Sequence, residues 1–302
     1  MIEVANAPVS YGVFDLARPE LVPLPDGGAI LASVADAGYS GVDLGPHGLF
    51  GTGPELVKRL EQAGLGLAGG WLDFPFTGTN EAFESALQQA MPILKDFSRV
   101  AEATPHLQPL PTIADAGSEQ RRSHPGGGPG LELSPERWAT FTARLETVTK
   151  LVRDHGLEPT FHHHACTYVE TPDEIERLLA DTSINLTFDT GHLLIGGGNP
   201  LTDFERWSSR INHVHLKDVN RKLLTQLPRT DRLMRDVWEQ RVFVALGEGD
   251  LDIPGFLTAL LGSGYDGWLV VEQDVVLMEN SDIERSIDDQ HRNREALRKW
   301  LP

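Results

Sequence analysis

Between residues 159 and 221, three short apolar runs each stop at residues that bind metals or move protons. Residues 160–161 run into His162, His163 and His164. Residues 184–188 run into Asp189, with His192 close behind. Residues 211–216 carry His213 and His215 and lead into Lys217, Asp218 and Arg221. Short apolar runs bounded by polar residues read as buried strands. Three in succession that end in reactive side chains suit the C-terminal rim of a parallel barrel, where strand ends converge on one mouth. The expectation is a divalent-metal site at that rim.

The rest of the chain supplies a matching repeat. Strands are expected at 2–5, 41–44, 65–69, 98–103, 159–164, 184–189, 211–216 and 267–272. Most are followed by a segment with helical spacing, such as Ile30, Leu31, Val34 and Ala37. Two helix starts carry strong signals. Ser134-Pro135 places an N-cap before a proline at the first helical position. Thr171-Pro172-Asp173-Glu174 is a capping box. A βα repeat without a GxGxxG fingerprint favours a closed (β/α)₈ TIM barrel over a doubly wound sheet. At 302 residues the chain fits one such domain, 1–302, with insertions. Two stretches read as rim insertions: 105–129, which contains SHPGGGPG, and the charged segment 222–240. Residues 242–246 read as part of a loop leading into a helix at 253–262.

Composition narrows the partners. A formal net charge of −18 argues against nucleic acid, whose phosphates require a basic surface, and against an anionic membrane. The single cysteine, Cys166, excludes an intrachain disulfide. The first residues lack the basic and apolar regions of a signal peptide, and no run of eighteen apolar residues occurs. The expectation is a cytoplasmic protein acting on a small molecule, with a homo-oligomer left open.

Asp189, His215 and Glu272 each stand at or near a strand end. Imidazole and carboxylate with open positions suit Mn²⁺, Co²⁺, Fe²⁺, Mg²⁺ or Zn²⁺. A fourth ligand comes from His162 or His164, which share a strand face while His163 points the other way. Lys217 and Arg221 are placed to neutralise an oxyanion. Glu102, at the end of the expected fourth strand, is an acid/base candidate, and Trp71 a candidate wall for a sugar face. Gly196-Gly197-Gly198 reads as a flexible turn.

These residues carry a resemblance. FDTGH, RINHVHLKDVNR and GYDGWLVVEQD, with the HHH tract and the segments GGW and AEATP, resemble the xylose-isomerase-like sugar isomerase/epimerase superfamily of TIM barrels. Within it they are most similar to the inosose dehydratases. The resemblance implies one divalent metal, Mn²⁺ or Co²⁺ before the others, held by His162 (or His164), Asp189, His215 and Glu272. It implies substrate contacts at His192 and Arg221. Where most of the isomerases carry glutamate, this chain has His162, which removes one of the two metal-bound glutamates that shuttle protons in the epimerases. SYGVFD also replaces the dehydratases' amino-terminal W-T-N-D-D motif.

The expected activity is therefore loss of water from a keto-sugar or keto-cyclitol through a metal-stabilised enolate. His164, Glu102 and Lys217 are the candidate proton carriers. Two alternatives use the same residues: a metal-dependent sugar or sugar-phosphate isomerase or 3-epimerase, and a metal- and carbohydrate-binding subunit without turnover.

Overall fold

The computed structural model describes residues 1–14, 17–104 and 108–301. Nine parallel strands form one sheet: β1 (Ile2–Asn6), β2 (Gly41–Val42), β3 (Gly66–Leu67), β4 (Gly69–Phe74), β5 (Leu110–Asp115), β6 (Thr160–His162), β7 (Asn185–Asp189), β8 (Ile211–Leu216) and, last in the chain, Gly267–Val271. β3 and β4 are two parts of one strand, parted only by Ala68. The Ala68 amide donates to the Val42 carbonyl at 2.9 Å, and its own carbonyl accepts from the Leu110 amide at 3.0 Å. This residue joins the two ends of the sheet and closes a barrel of eight strand positions, with helices outside. Between β8 and the last barrel strand, Asp218–Val219 (β9) and Phe243–Val244 (β10) form a small antiparallel pair. The barrel strand Gly267–Val271 is therefore β11.

Both helix starts legible in the sequence are present. The Ser134 hydroxyl accepts from the Arg137 amide at 3.3 Å ahead of the helix Pro135–Asp154. Thr171 and Glu174 form the reciprocal capping box of the helix Pro172–Asp181.

The fourth strand differs from the sequence expectation. Residues 98–103 are not a strand but the end of a 24-residue helix, Asn80–Ala103. Ala90, Leu94, Phe97 and Ala101 keep one face of it buried across the expected boundary. The true strand, β5, lies inside the stretch read as an insertion, whose first residues, Pro105, His106 and Leu107, fall outside the described ones. Beyond β5 the stretch carries one short helix, Glu119–Ser123. Buried Arg121 ties it down through Glu170 and Glu174. The segment 222–240 carries the helix Leu233–Glu239, and 243–244 pair as β10 instead of staying loop.

One end of the barrel is filled by Trp268, which is 2% exposed. Gly41 and Gly66 lie against its ring. A Cβ on Gly41 would stand 2.5 Å from the indole, and one on Gly66 2.9 Å. Gly41→Ala is accordingly expected to lower unfolding free energy by about 1–3 kcal/mol, the usual cost of overpacking. Gly41→Ala/Trp268→Phe should recover part of that loss, measured by chemical denaturation. Equal effects in both backgrounds would show that the indole contact is not the cause.

Candidate active site

The site begins with how β7 ends. Asp189 closes the strand and caps the helix Thr190–Ile195, its Oδ1 accepting from the amides of Gly191 and His192 at 2.9 Å each. Capping fixes the carboxylate and turns Oδ2 into the barrel mouth. There it meets His162 Nε2 at 3.2 Å, Lys217 Nζ at 3.1 Å and His215 Nδ1 at 3.6 Å. Glu272, just past β11, brings Oε2 to 2.9 Å from both His215 Nδ1 and Lys217 Nζ. Three neighbouring strand ends and β6 thus place His162, Asp189, His215 and Glu272 in one buried cluster.

β6 ends at His162, two residues short of the expected strand, and the three histidines still diverge. His162 points inward to Asp189. His163 is buried on the other side, its Nε2 accepting from the Asp189 backbone amide at 3.2 Å. His164 does not join Asp189 but packs its ring 3.8 Å from that of His192. His164 Nδ1 lies 2.8 Å from the Ala165 carbonyl, which can only accept. The proton therefore sits on Nδ1, and Nε2 keeps its lone pair. Trp71, on β4, sets its ring edge-on to both His162 and His164, at 5.3 and 5.4 Å, and is 42% exposed. These rings form one wall of the mouth. Trp71→Ala is expected to raise KM several-fold and leave stability nearly unchanged; an unaltered KM would remove Trp71 from the binding surface.

Burial shapes the charges. It lowers the pKa of His162, and pushes His164 down to about 3, leaving both imidazoles neutral. Burial would raise Asp189, but Lys217 and His192 hold it well below the carboxylate range. Burial likewise opposes ionisation of Glu272, and His215 and Lys217 overcome it. Lys217, only 2% exposed, keeps its proton because Asp189, Asp274 and Glu272 outweigh desolvation. His215 is the exception: against burial, Glu272 and Asp189 push it up to about 10, so a divalent ion binding there displaces its proton, whereas neutral His162 and the ionised carboxylates already suit one. His162 Nδ1 and His192 Nδ1 have no hydrogen-bond partner among the described residues. Ligand atoms of His162, Asp189 and His215 lie within 4.8 Å of one another, with Glu272 beside His215, a donor set that fits a first-row divalent ion.

Two expected residues are elsewhere. Glu102 lies on the outer face of the helix Asn80–Ala103 and is exposed, so it does not reach the rim as a strand end would. The carboxylate that ends the true strand is Asp115, which is buried and accepts from the Tyr168 amide at 3.0 Å, holding the loop after β6. Arg221 is also exposed. Asp218 accepts from the amides of Gly247, Gly249 and Leu251, and Asn220 then caps a short helix. That turn carries Arg221 to a separate cleft of about 210 Å³ beside Asn199, Asp252 and Phe256.

Two residues of the cluster, Asp274 and Asp43, were not foreseen as site residues. Asp274 accepts from Lys217 Nζ at 3.1 Å and lies 4.0 Å from His192 Nε2. Its place two residues after Glu272 is a signal the sequence did contain. Asp43, just past β2, comes within 3.9 Å of His215 Nε2. His213 lies beneath them, fully buried.

The comparisons agree with this architecture. The chain is 31% identical over 283 residues to the rhizopine catabolism protein MocC of Rhizobium meliloti, covering 90% of this chain and 82% of that one. It is 30% identical over 253 residues to an inosose dehydratase of Bacillus licheniformis, covering 81% and 80%. Among solved structures it resembles a D-allulose 3-epimerase from Methylomonas sp. in complex with D-allulose, with TM-score 0.65, 17% identity and coverage of 99% and 97%. It also resembles the probable 3-DHS dehydratase AsbF of Bacillus anthracis, with TM-score 0.65, 13% identity and 98% coverage of each. At such identities the two structures speak to the fold alone. The profile of the xylose isomerase-like TIM barrel family matches residues 31–299, and the chain belongs to that family.

Proposed function

We propose that this protein is a divalent-metal-dependent lyase that removes water from a keto-cyclitol or closely related keto-sugar, as its relatives named inosose dehydratase are named for doing. The observation that carries the reading is the buried convergence of His162, Asp189 and His215, with Glu272 against His215 and a protonated Lys217. Those four residues would hold the ion, Mn²⁺ or Co²⁺ by preference. When bound, the ion polarises the substrate carbonyl and acidifies the neighbouring C–H.

The chain's own groups then divide the proton work. His164 offers a neutral Nε2 at the mouth and takes the proton from the carbon next to the carbonyl. Lys217, held as an ammonium, supplies a proton to the hydroxyl on the following carbon. The C–O bond breaks, water leaves, and a double bond forms next to the carbonyl. His192 and Trp71 orient the ring and exclude bulk water. This scheme gives no part to Glu102 and Arg221, both of which are exposed.

Turnover of 2-keto-myo-inositol in D₂O by the Mn²⁺-loaded protein tests the reaction class. Loss of a hydroxyl with growth of conjugated-enone absorbance is expected. Deuterium entering carbon with every hydroxyl retained would instead assign an isomerase or 3-epimerase. Binding without either change would assign a carbohydrate-binding protein.

A further inference from the structure

We propose that the barrel contains a second divalent-cation position, one residue layer beneath the rim cluster, formed by Asp43, His213 and His215. Ligand atoms from these three residues lie within 4.8 Å of one another. All three are buried, at 7%, 0% and 3% exposed. His213 stands two residues before His215 on β8, so both face the barrel interior while Val214 turns into the outer core.

His213 is the second, independent observation. Neither of its ring nitrogens has a hydrogen-bond partner among the described residues, and Asp43 Oδ1 has none either. An unsatisfied buried polar group is costly, and native structures rarely keep several together without a ligand. The backbone of β4 approaches the ring closely. Gly69, at the start of β4, has no side chain, and a Cβ there would stand 3.1 Å from His213 Nε2. Two imidazoles and one carboxylate with an open coordination position favour Zn²⁺, Co²⁺ or Cu²⁺ over Mg²⁺ or Ca²⁺.

The two positions share one ring. His215 Nδ1 faces Glu272 and Asp189, and its Nε2 faces Asp43. A neutral imidazole has one lone pair. An ion at the deep position therefore fixes the His215 proton on Nδ1 and withdraws this ligand from the rim. It follows that an ion favouring imidazole, such as Zn²⁺, parks below and antagonises an ion at the rim. That consequence for turnover rests on the proposed function; the deep position itself does not.

The test removes the rim carboxylates and asks what still binds. Asp189→Asn/Glu272→Gln, equilibrated with Zn²⁺ and dialysed, is expected to retain about one ion per chain by elemental analysis, as a closed imidazole-rich site would. Adding His213→Gln should release it. No retained Zn²⁺, or Zn²⁺ retained equally after His213→Gln, would overturn the proposal. Because these substitutions are buried, wild-type crystals soaked in Zn²⁺ give a second reading. An anomalous peak among Asp43, His213 and His215 supports the deep position. A peak only at His162, Asp189 and Glu272 overturns it while leaving the rim site standing.

Discussion

Lys217→Met is expected to lower kcat by about 10²–10⁴-fold, the range for loss of a positioned proton donor, while Mn²⁺ binds at least as tightly as to the wild type. The two effects come from one geometry. Lys217 Nζ lies 3.1 Å from Asp189 Oδ2, 2.9 Å from Glu272 Oε2 and 3.1 Å from Asp274 Oδ2. Without a metal, the ammonium neutralises the carboxylates that an incoming ion needs. Removing it takes away a competitor, but it also takes away the proton that the departing hydroxyl requires. It leaves buried carboxylates unpaired, so the metal-free variant should lose about 3–5 kcal/mol of stability, and saturating Mn²⁺ should restore much of that loss. Thermal melts with and without Mn²⁺, alongside calorimetric titration, check all three expectations. Weaker Mn²⁺ binding in the variant would show that Lys217 supports the ion instead of standing in for it.

Asp189→Asn separates the two oxygens of one side chain. The amide oxygen of asparagine can replace Oδ1 as acceptor for Gly191 and His192, so the start of the helix Thr190–Ile195 should survive. Its NH₂ must then stand where Oδ2 now meets His162, His215 and Lys217. That puts a donor against donors and removes a negative ligand. Mn²⁺ affinity should fall by more than about 100-fold, the upper end of what losing an outer partner costs. The far-ultraviolet circular dichroism should stay as in the wild type. Retained affinity would place the ion elsewhere in the mouth.

The parts of the site legible in sequence are those where an apolar strand stops abruptly at a reactive residue, as at His162, Asp189, His215 and Glu272. The residues that misled did so for local reasons. The helix Asn80–Ala103 conceals its continuity because Asp96 occupies a buried position on it. That carboxylate is accounted for only by partners far away in sequence, the Gly53 amide at 2.8 Å and His47 at 3.0 Å. Read alone, Lys95-Asp96 looks like a boundary, and Glu102 then looks like a strand end. The true strand β5 hides because Pro111 cannot donate to the ladder and is unusual within a sheet. Arg221 is near His215 in sequence but follows Asp218, whose bonds to the 247–251 loop turn the chain away. Asp43 is a lone carboxylate in GVDLG, with no spacing to mark it. Only closure of the barrel brings it to His215.

Metal-stripped protein, reconstituted with Mn²⁺ and given 2-keto-myo-inositol, tests the central claim most directly when the product is followed by NMR. The account predicts no dehydration by the stripped protein and formation of the unsaturated ketone once Mn²⁺ is restored, with activity lost again in Asp189→Asn. Equal dehydration by stripped and reconstituted protein would contradict it.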